Sequence, residues 1–120
     1  GNPPISILEG KVSEGHVQIC GEQFKWSLPD NIKKPDNGSS IGVGIRPEMY
    51  QPDLSCRIKG TISFVETQGR ENLYDVLLKD GSLLRSIQSA DISTLAPGTE
   101  VNWGVKPEQL LYFDKDGKRL

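Results

Sequence analysis

The stretch Gly44-Ile45-Arg46-Pro47-Glu48 returns, lightly edited, as Gly104-Val105-Lys106-Pro107-Glu108, an offset of 60 residues in a chain of 120. The echo reaches upstream, where Ile41, Val43 and Ile45 align with Val101, Trp103 and Val105. Each copy is an alternating run, the period of a half-buried strand, that ends in a basic residue, a proline and a glutamate. Proline suits the first position of a helical turn, where its missing N–H is harmless, and a glutamate behind it favours the positive end of that turn. Single helical turns are therefore expected from Pro47 and Pro107. A repeat that occurs only twice points to a duplicated unit pairing with its twin rather than to a solenoid.

The neighbouring segments read the same way. Phe24, Trp26 and Leu28 alternate with Gln23, Lys25 and Ser27, and Val17 and Ile19 precede them across Cys20-Gly21-Glu22, a hairpin pattern. Residues 29–40 form a polar loop dense in turn formers. Gly42 and Gly44 share the second face of the 41–45 strand, which predicts close backbone approach or a bulge. Cys56, Ile58, Gly60, Ile62 and Phe64 share one parity against Arg57, Lys59, Thr61 and Ser63, the longest alternating run and one expected to span both ends of a barrel. Tyr74, Val76 and Leu78 mark another strand, closed by Lys79-Asp80-Gly81-Ser82 as a hairpin with a type I′ turn, and Leu83 to Gln88 return from it. Ala96-Pro97-Gly98-Thr99 is a turn, and a short strand from Leu110 to Phe113 ends at the turn Asp114-Lys115-Asp116-Gly117. No window of a dozen residues carries a helical period. The fold expected is an all-β barrel in one domain, built from two related halves at about residues 5–52 and 55–113.

Composition agrees with that reading. Hydrophobic residues make up 35%, while 13 glycines and 8 prolines suit short strands joined by many turns. A net charge of −2 argues against a general nucleic-acid binder, which presents a basic field to phosphates. No run approaches the ~18 apolar residues of a membrane-spanning helix. The chain opens at Gly1 without a methionine or a signal peptide, which is expected of a processed product or an excised piece. Cys20 and Cys56 are expected as buried thiols rather than a disulfide or metal pair, and with the single His16 they do not compose a zinc motif.

No catalytic apparatus assembles from these residues. There is no phosphate-gripping loop, no nucleophile elbow and no triad pattern around His16. Asp114 and Asp116, beside Lys115 and Lys118, read as solvated surface. Arg46 and Lys106, with Glu48 and Glu108 close behind them, are the candidate ligand or interface residues. Two cations at equivalent places could flank an anion, or each pairs with its neighbouring carboxylate or faces water. Trp26 and Trp103 read as core or interface packing rather than stacking platforms.

Five segments in order resemble one family. Gly44-Ile45-Arg46-Pro47-Glu48 looks like the hallmark of the C-terminal TOBE domain, an OB-like and MOP-like barrel, in ATP-binding subunits of ABC importers. Gly1-Asn2-Pro3-Pro4-Ile5 with Leu8-Glu9-Gly10 is similar to the opening segment of the sugar-importing branch. Phe64-Val65-Glu66-Thr67-Gln68-Gly69, Ala96-Pro97-Gly98-Thr99 and Leu111-Tyr112-Phe113-Asp114 with Gly117 resemble its later motifs. Ser6 stands where the family commonly has asparagine, and Tyr112 where leucine is frequent.

The resemblance implies a regulatory and dimerisation domain of the maltose and glycerol-3-phosphate type. Its parent would be a homodimeric ATPase docked under transmembrane permease subunits at the cytoplasmic face of the bacterial inner membrane, and open to a regulatory protein. ATP and Mg would belong to a nucleotide-binding domain upstream, with no cofactor and no enzyme activity in this piece. Molybdate-binding relatives carry a Ser-Ala-Arg-Asn type segment that this chain lacks, which disfavours oxyanion storage. Polyamine and ferric-iron importers have similar barrels and remain alternatives within the family. From different classes stand an anion-sensing barrel gripping its ligand between Arg46 and Lys106, and a single-strand nucleic-acid binder. The last needs a basic groove with aromatic platforms, which 7% aromatic residues do not offer.

Overall fold

Alternation along the chain becomes two antiparallel sheets in the computed structural model, which describes residues 5–21, 24–51, 56–91 and 94–120. Residues 1–4 of the opening segment, Glu22 of the expected hairpin turn and Gln23 of the following strand lie outside the described residues. The strands are β1 (Ser6–Ser13), β2 (His16–Ile19), β3 (Phe24–Ser27), β4 (Ser40–Ile45), β5 (Arg57–Gln68), β6 (Glu71–Leu77), β7 (Leu83–Ser89), β8 (Glu100–Gly104) and β9 (Leu111–Phe113). One sheet runs β3-β2-β1-β4-β9 and the other β7-β6-β5-β8. The expected helical turns are single 3-10 turns, Pro47–Met49 after β4 and Pro107–Gln109 after β8, each with its proline in front.

The two halves exchange their tails. After the first 3-10 turn the chain crosses to the second sheet, where Gln51 pairs with Gly104 through bonds of 2.8 and 2.7 Å. After the second turn it crosses back, and Leu111 pairs with Gly44 on β4. Gly44 and Gly104 are repeat partners, and so are Gln51 and Leu111, each pair 60 positions apart. The exchange is therefore reciprocal.

A second correspondence, at an offset of 50, relates the leading strands. Leu8, Gly10 and Val12 of β1 match Ile58, Gly60 and Ile62 of β5 in position, the four apolar residues all buried, with Gly10 opposite Ile41 and Gly60 opposite Val101. Their anchoring is also matched. Val12 binds the turn at Gly38-Ser39 through two backbone bonds of 2.7 and 3.0 Å, and Ile62 binds Gly98-Thr99 through bonds of 2.7 and 2.9 Å. Gly38 and Gly98 take φ of 86° and 92°, the left-handed region that suits glycine in such turns. Most of the difference between the two offsets lies in the β5–β6 hairpin, which turns only after Gln68, whereas β1–β2 turns at Glu14-Gly15.

Two local expectations need correction. Phe64 does not share the buried face of Ile58 and Ile62 but is 51% exposed. The register of β5 slips between Ile62 and Phe64, so that Phe64 lies opposite Asp75 and Val65 opposite the buried Tyr74. A bulge adds one residue to one strand and flips every side chain beyond it, which parity counting cannot foresee. The Asp80-Gly81 hairpin is not type I′, because only Gly81 has positive φ, 91°. Gly81 N–H donates to Leu78 O and Leu78 N–H to Ser82 O, the pattern of a type I turn followed by a left-handed glycine. Both central φ angles are positive instead at Glu14 and Gly15, 49° and 78°, as a type I′ turn requires.

The inward faces share one apolar core, from Leu8, Val17 and Val43 of the first sheet to Ile62, Val76 and Leu84 of the second. The glycines on the outer face of β4 meet the close approach expected of them. A Cβ on Gly44 would stand 2.8 Å from Ile5 Cδ1 and 3.1 Å from Phe113 Cε2. In the equivalent glycines of the leading strands the space is tighter. A Cβ at Gly10 would lie 2.5 Å from Val17 Cγ2, and one at Gly60 would lie 2.4 Å from Val76 Cγ1 and 2.9 Å from the Leu77 carbonyl oxygen. A side chain can rotate away, but a paired backbone carbonyl cannot. Gly60→Ala should therefore destabilise by about 1–3 kcal/mol in urea unfolding, and by more than Gly10→Ala. Equal stability of Gly60→Ala and the unmodified chain would show that the strand can shift.

Candidate functional site

The paired Gly-x-Arg/Lys-Pro-Glu segments sit where the chain crosses between sheets. Arg46 is extended, with φ −71° and ψ 145°, and its carbonyl accepts a 3.0 Å bond from Met49 N–H. The Lys106 carbonyl accepts the equivalent bond from Gln109 N–H at 2.9 Å. Pro47 is buried, and strand β7 packs against its turn. Arg46, Glu48 and Glu108 are exposed, and Lys106 is half-buried. Among the described residues, no ion pair or side-chain hydrogen bond joins Arg46 to Lys106, or either of them to Glu48 or Glu108. The buried parts of these segments thus hold the crossover, while the charged parts lie along its rim.

What ties the second crossover to the first half is a chain of hydrogen bonds. Trp26 Nε1–H donates to the Tyr112 hydroxyl at 3.1 Å, and that hydroxyl donates to the Pro107 carbonyl at 2.8 Å. Burial pushes the Tyr112 hydroxyl up to about 12, so it stays protonated and able to donate. Trp26 is buried, and Trp103 packs between Tyr50 and Tyr74 with ring centroids 5.9 Å from each. Both tryptophans therefore take the packing role.

Other polar groups have structural partners. His16 on β2 sits between Ser27 Oγ at Nε2, 3.1 Å, and the Glu14 carbonyl at Nδ1, 3.2 Å; a proton on Nδ1 satisfies both. Asp114 Oδ1 accepts the N–H groups of Asp116 and Lys118 at 2.9 Å each, holding the turn before the chain returns to pair at Phe113 and Arg119. Buried Asn72 donates to Thr94 Oγ1 and the Tyr74 hydroxyl at 3.0 and 3.3 Å, and the same hydroxyl accepts Leu95 N–H at 3.0 Å. Among the described residues, no group of three or more His, Cys, Asp or Glu stands close enough to hold a metal ion.

Cys20 and Cys56 are free thiols, but half-buried rather than buried. Partial burial pushes the Cys20 thiol up to about 11, with the Asp80 carboxylate beside it adding to the effect, and burial raises Cys56 as well. The thiolate is the reactive form, though a more basic thiolate is also a better nucleophile, so at pH 8 a disulfide reagent should label Cys20 about tenfold more slowly in the folded chain than in denaturant. Equal rates would mean that the thiol ionises freely.

Comparison with known proteins follows the same outline. A family model described as the MalK OB fold domain matches residues 1–49, and one described as the TOBE domain matches residues 43–113. The sn-glycerol-3-phosphate import ATP-binding protein UgpC of Vibrio vulnificus strain YJ016 is 26% identical over 129 residues, covering 100% of this chain and 32% of that protein. The maltose/maltodextrin import ATP-binding protein MalK of Photorhabdus laumondii is 22% identical over 116 residues, covering 95% of this chain and 31% of that protein. The chain thus spans about a third of the length of the curated relatives it matches. Among solved structures, the cytoplasmic molybdate-binding protein ModG, with molybdate bound, superposes with a TM-score of 0.67 at 16% identity, over 88% of this chain and 93% of its own. That likeness is one of fold, an OB-like barrel. Matched by the TOBE model from the last residues of β4 through β9, over more than half of its length, the chain belongs to the TOBE domain family.

Proposed function

We propose that the chain is the C-terminal regulatory and dimerisation domain of the ATP-binding subunit of an ABC importer for sugars or sugar phosphates. The observation that carries this reading is the pair of family matches, OB then TOBE, running in order from residue 1 to residue 113. In it, ATP and Mg are held by a nucleotide-binding domain of the parent protein. The parent docks on permease subunits at the cytoplasmic face of the bacterial inner membrane. This barrel limits how far two motor domains separate and offers a surface to a regulatory protein.

A dimerisation role needs a face for a second copy, and the outer face of β5–β6–β7 has the right chemistry. Phe64, Leu77 and Leu83 are 51%, 44% and 44% exposed there. Half-buried Leu73 and Ile87 continue the patch in register. At its centre Arg85 Nε donates to Asp75 Oδ1 at 3.1 Å, leaving the outer end of the guanidinium toward solvent. A twofold pairing lays a patch on its own copy. An apolar ring around one acid and one base is self-complementary under that operation, since each Arg85 can reach the partner's Asp75.

Sedimentation equilibrium up to about 1 mM, where an association of about −4 kcal/mol registers, should show reversible dimerisation of the chain. The double variant Phe64→Ser and Leu83→Ser should stay monomeric with unchanged circular dichroism. A strictly monomeric unmodified chain would remove this face from the reading, and ATP hydrolysis by the purified chain would remove the reading itself.

A further inference from the structure

Between the 29–39 loop and the hairpin that follows β9 lies an open groove of about 480 Å³. Lys33 and Lys34 line it from the loop, and Lys115, Lys118 and Arg119 from the hairpin, against the carboxylates of Asp36 and Asp114. That is a concentration of positive charge in a chain whose net charge is −2.

The carboxylates of Asp36 and Asp114 offset only part of the charge on Lys33, Lys34, Lys115, Lys118 and Arg119. Asp114 Oδ1 is occupied by two backbone N–H groups. Lys34 Nζ is turned into its own loop, donating to the carbonyls of Leu28 and Pro29. Lys33, Lys115, Lys118 and Arg119 make no ion pair or side-chain hydrogen bond with another described residue. Their backbones are nonetheless fixed on the hairpin side: Asp114 N–H donates to Lys118 O at 2.7 Å and Leu120 N–H to Tyr112 O at 2.9 Å. Like charges held together repel, and an anion between them relieves that repulsion. Ile41 and the Leu120 side chain add apolar surface to the lining, and Ser39 and Ser40 add hydroxyls.

We propose that this groove is a binding site for a phosphate dianion, either inorganic phosphate or a phosphomonoester of a small organic molecule. Lysines serve phosphate as point charges, and Arg119 adds a planar fork that matches two of its oxygens. The volume is that of a small-molecule site, in which the apolar side chains of the lining take the organic part of an ester. This site stands apart from Arg46 and Lys106, and it does not depend on the transporter reading.

Isothermal titration of the 120-residue chain with inorganic phosphate, glucose 6-phosphate and glucose tests it. Both phosphates should bind with one-to-one saturation below about 10 mM, and glucose should not bind. The double variant Lys115→Ala and Lys118→Ala should weaken binding about tenfold or more, because each charged hydrogen bond contributes on that scale. Those side chains make no ion pair or hydrogen bond with another described residue. Lys59→Ala with Lys79→Ala, on β5 and in the β6–β7 turn of the other sheet, should leave affinity unchanged. Tighter binding of glucose 6-phosphate would assign an ester as ligand, and equal affinity would assign free phosphate. Absence of saturable binding, or full binding by the Lys115/Lys118 variant, overturns the proposal.

Discussion

The fold rests on backbone hydrogen bonding at two strand edges. An antiparallel strand left at the side of a sheet presents unpaired N–H and C=O groups, which invite aggregation. Here β4 and β8 would be such edges, and each is met by the tail of the opposite half, Leu111 against Gly44 and Gln51 against Gly104. The segments between follow from that demand. The chain must leave one sheet and reach the other within a few residues, so a proline-led 3-10 turn redirects it at both places. Gly42 and Gly44 carry no side chain because Ile5, Ile7, Leu111 and Phe113 occupy the space above them.

The surfaces that distinguish this chain are departures from its internal symmetry. The bulge in β5 turns Phe64 outward, and the longer β5–β6 hairpin supplies much of the sheet on which the apolar face lies. The cationic groove joins a loop of the first half to the tail hairpin of the second, so the exchange of tails is what brings its two walls together. Ser6 adds another inter-half contact, its hydroxyl accepting Arg85 N–H at 3.1 Å.

Much of this was legible in the residues. The pattern marks every strand except β1, where adjacent Ile7 and Leu8 and the glycine at 10 blur the period, and the repeated Pro-Glu marks both 3-10 turns, because proline constrains the backbone wherever it stands. The second correspondence, Gly10 with Gly60, is hidden in the sequence because hairpins of unequal length shift its offset from 60 to 50. The bulge after Ile62 leaves no mark in the sequence, because an extra residue is fixed by the partner strand rather than by its own neighbours. Arg46 and Lys106 stand out in sequence because of the repeat, yet among the described residues no hydrogen bond or ion pair joins them. The lysines and arginine of the groove lie about 80 residues apart in the chain. Only tertiary pairing reveals them as one cluster.

Reciprocal donation has an evolutionary corollary. A gene encoding a single unit would yield a polypeptide whose terminal segment had no sheet of its own to join. Two such molecules could complete each other by mutual swapping, at the mercy of their abundance in the cell. Tandem fusion would make the same association intramolecular, replacing cellular abundance with the high effective concentration set by a short linker. It would also free either copy to diverge, since an ancestor built from identical subunits must accept every mutation twice.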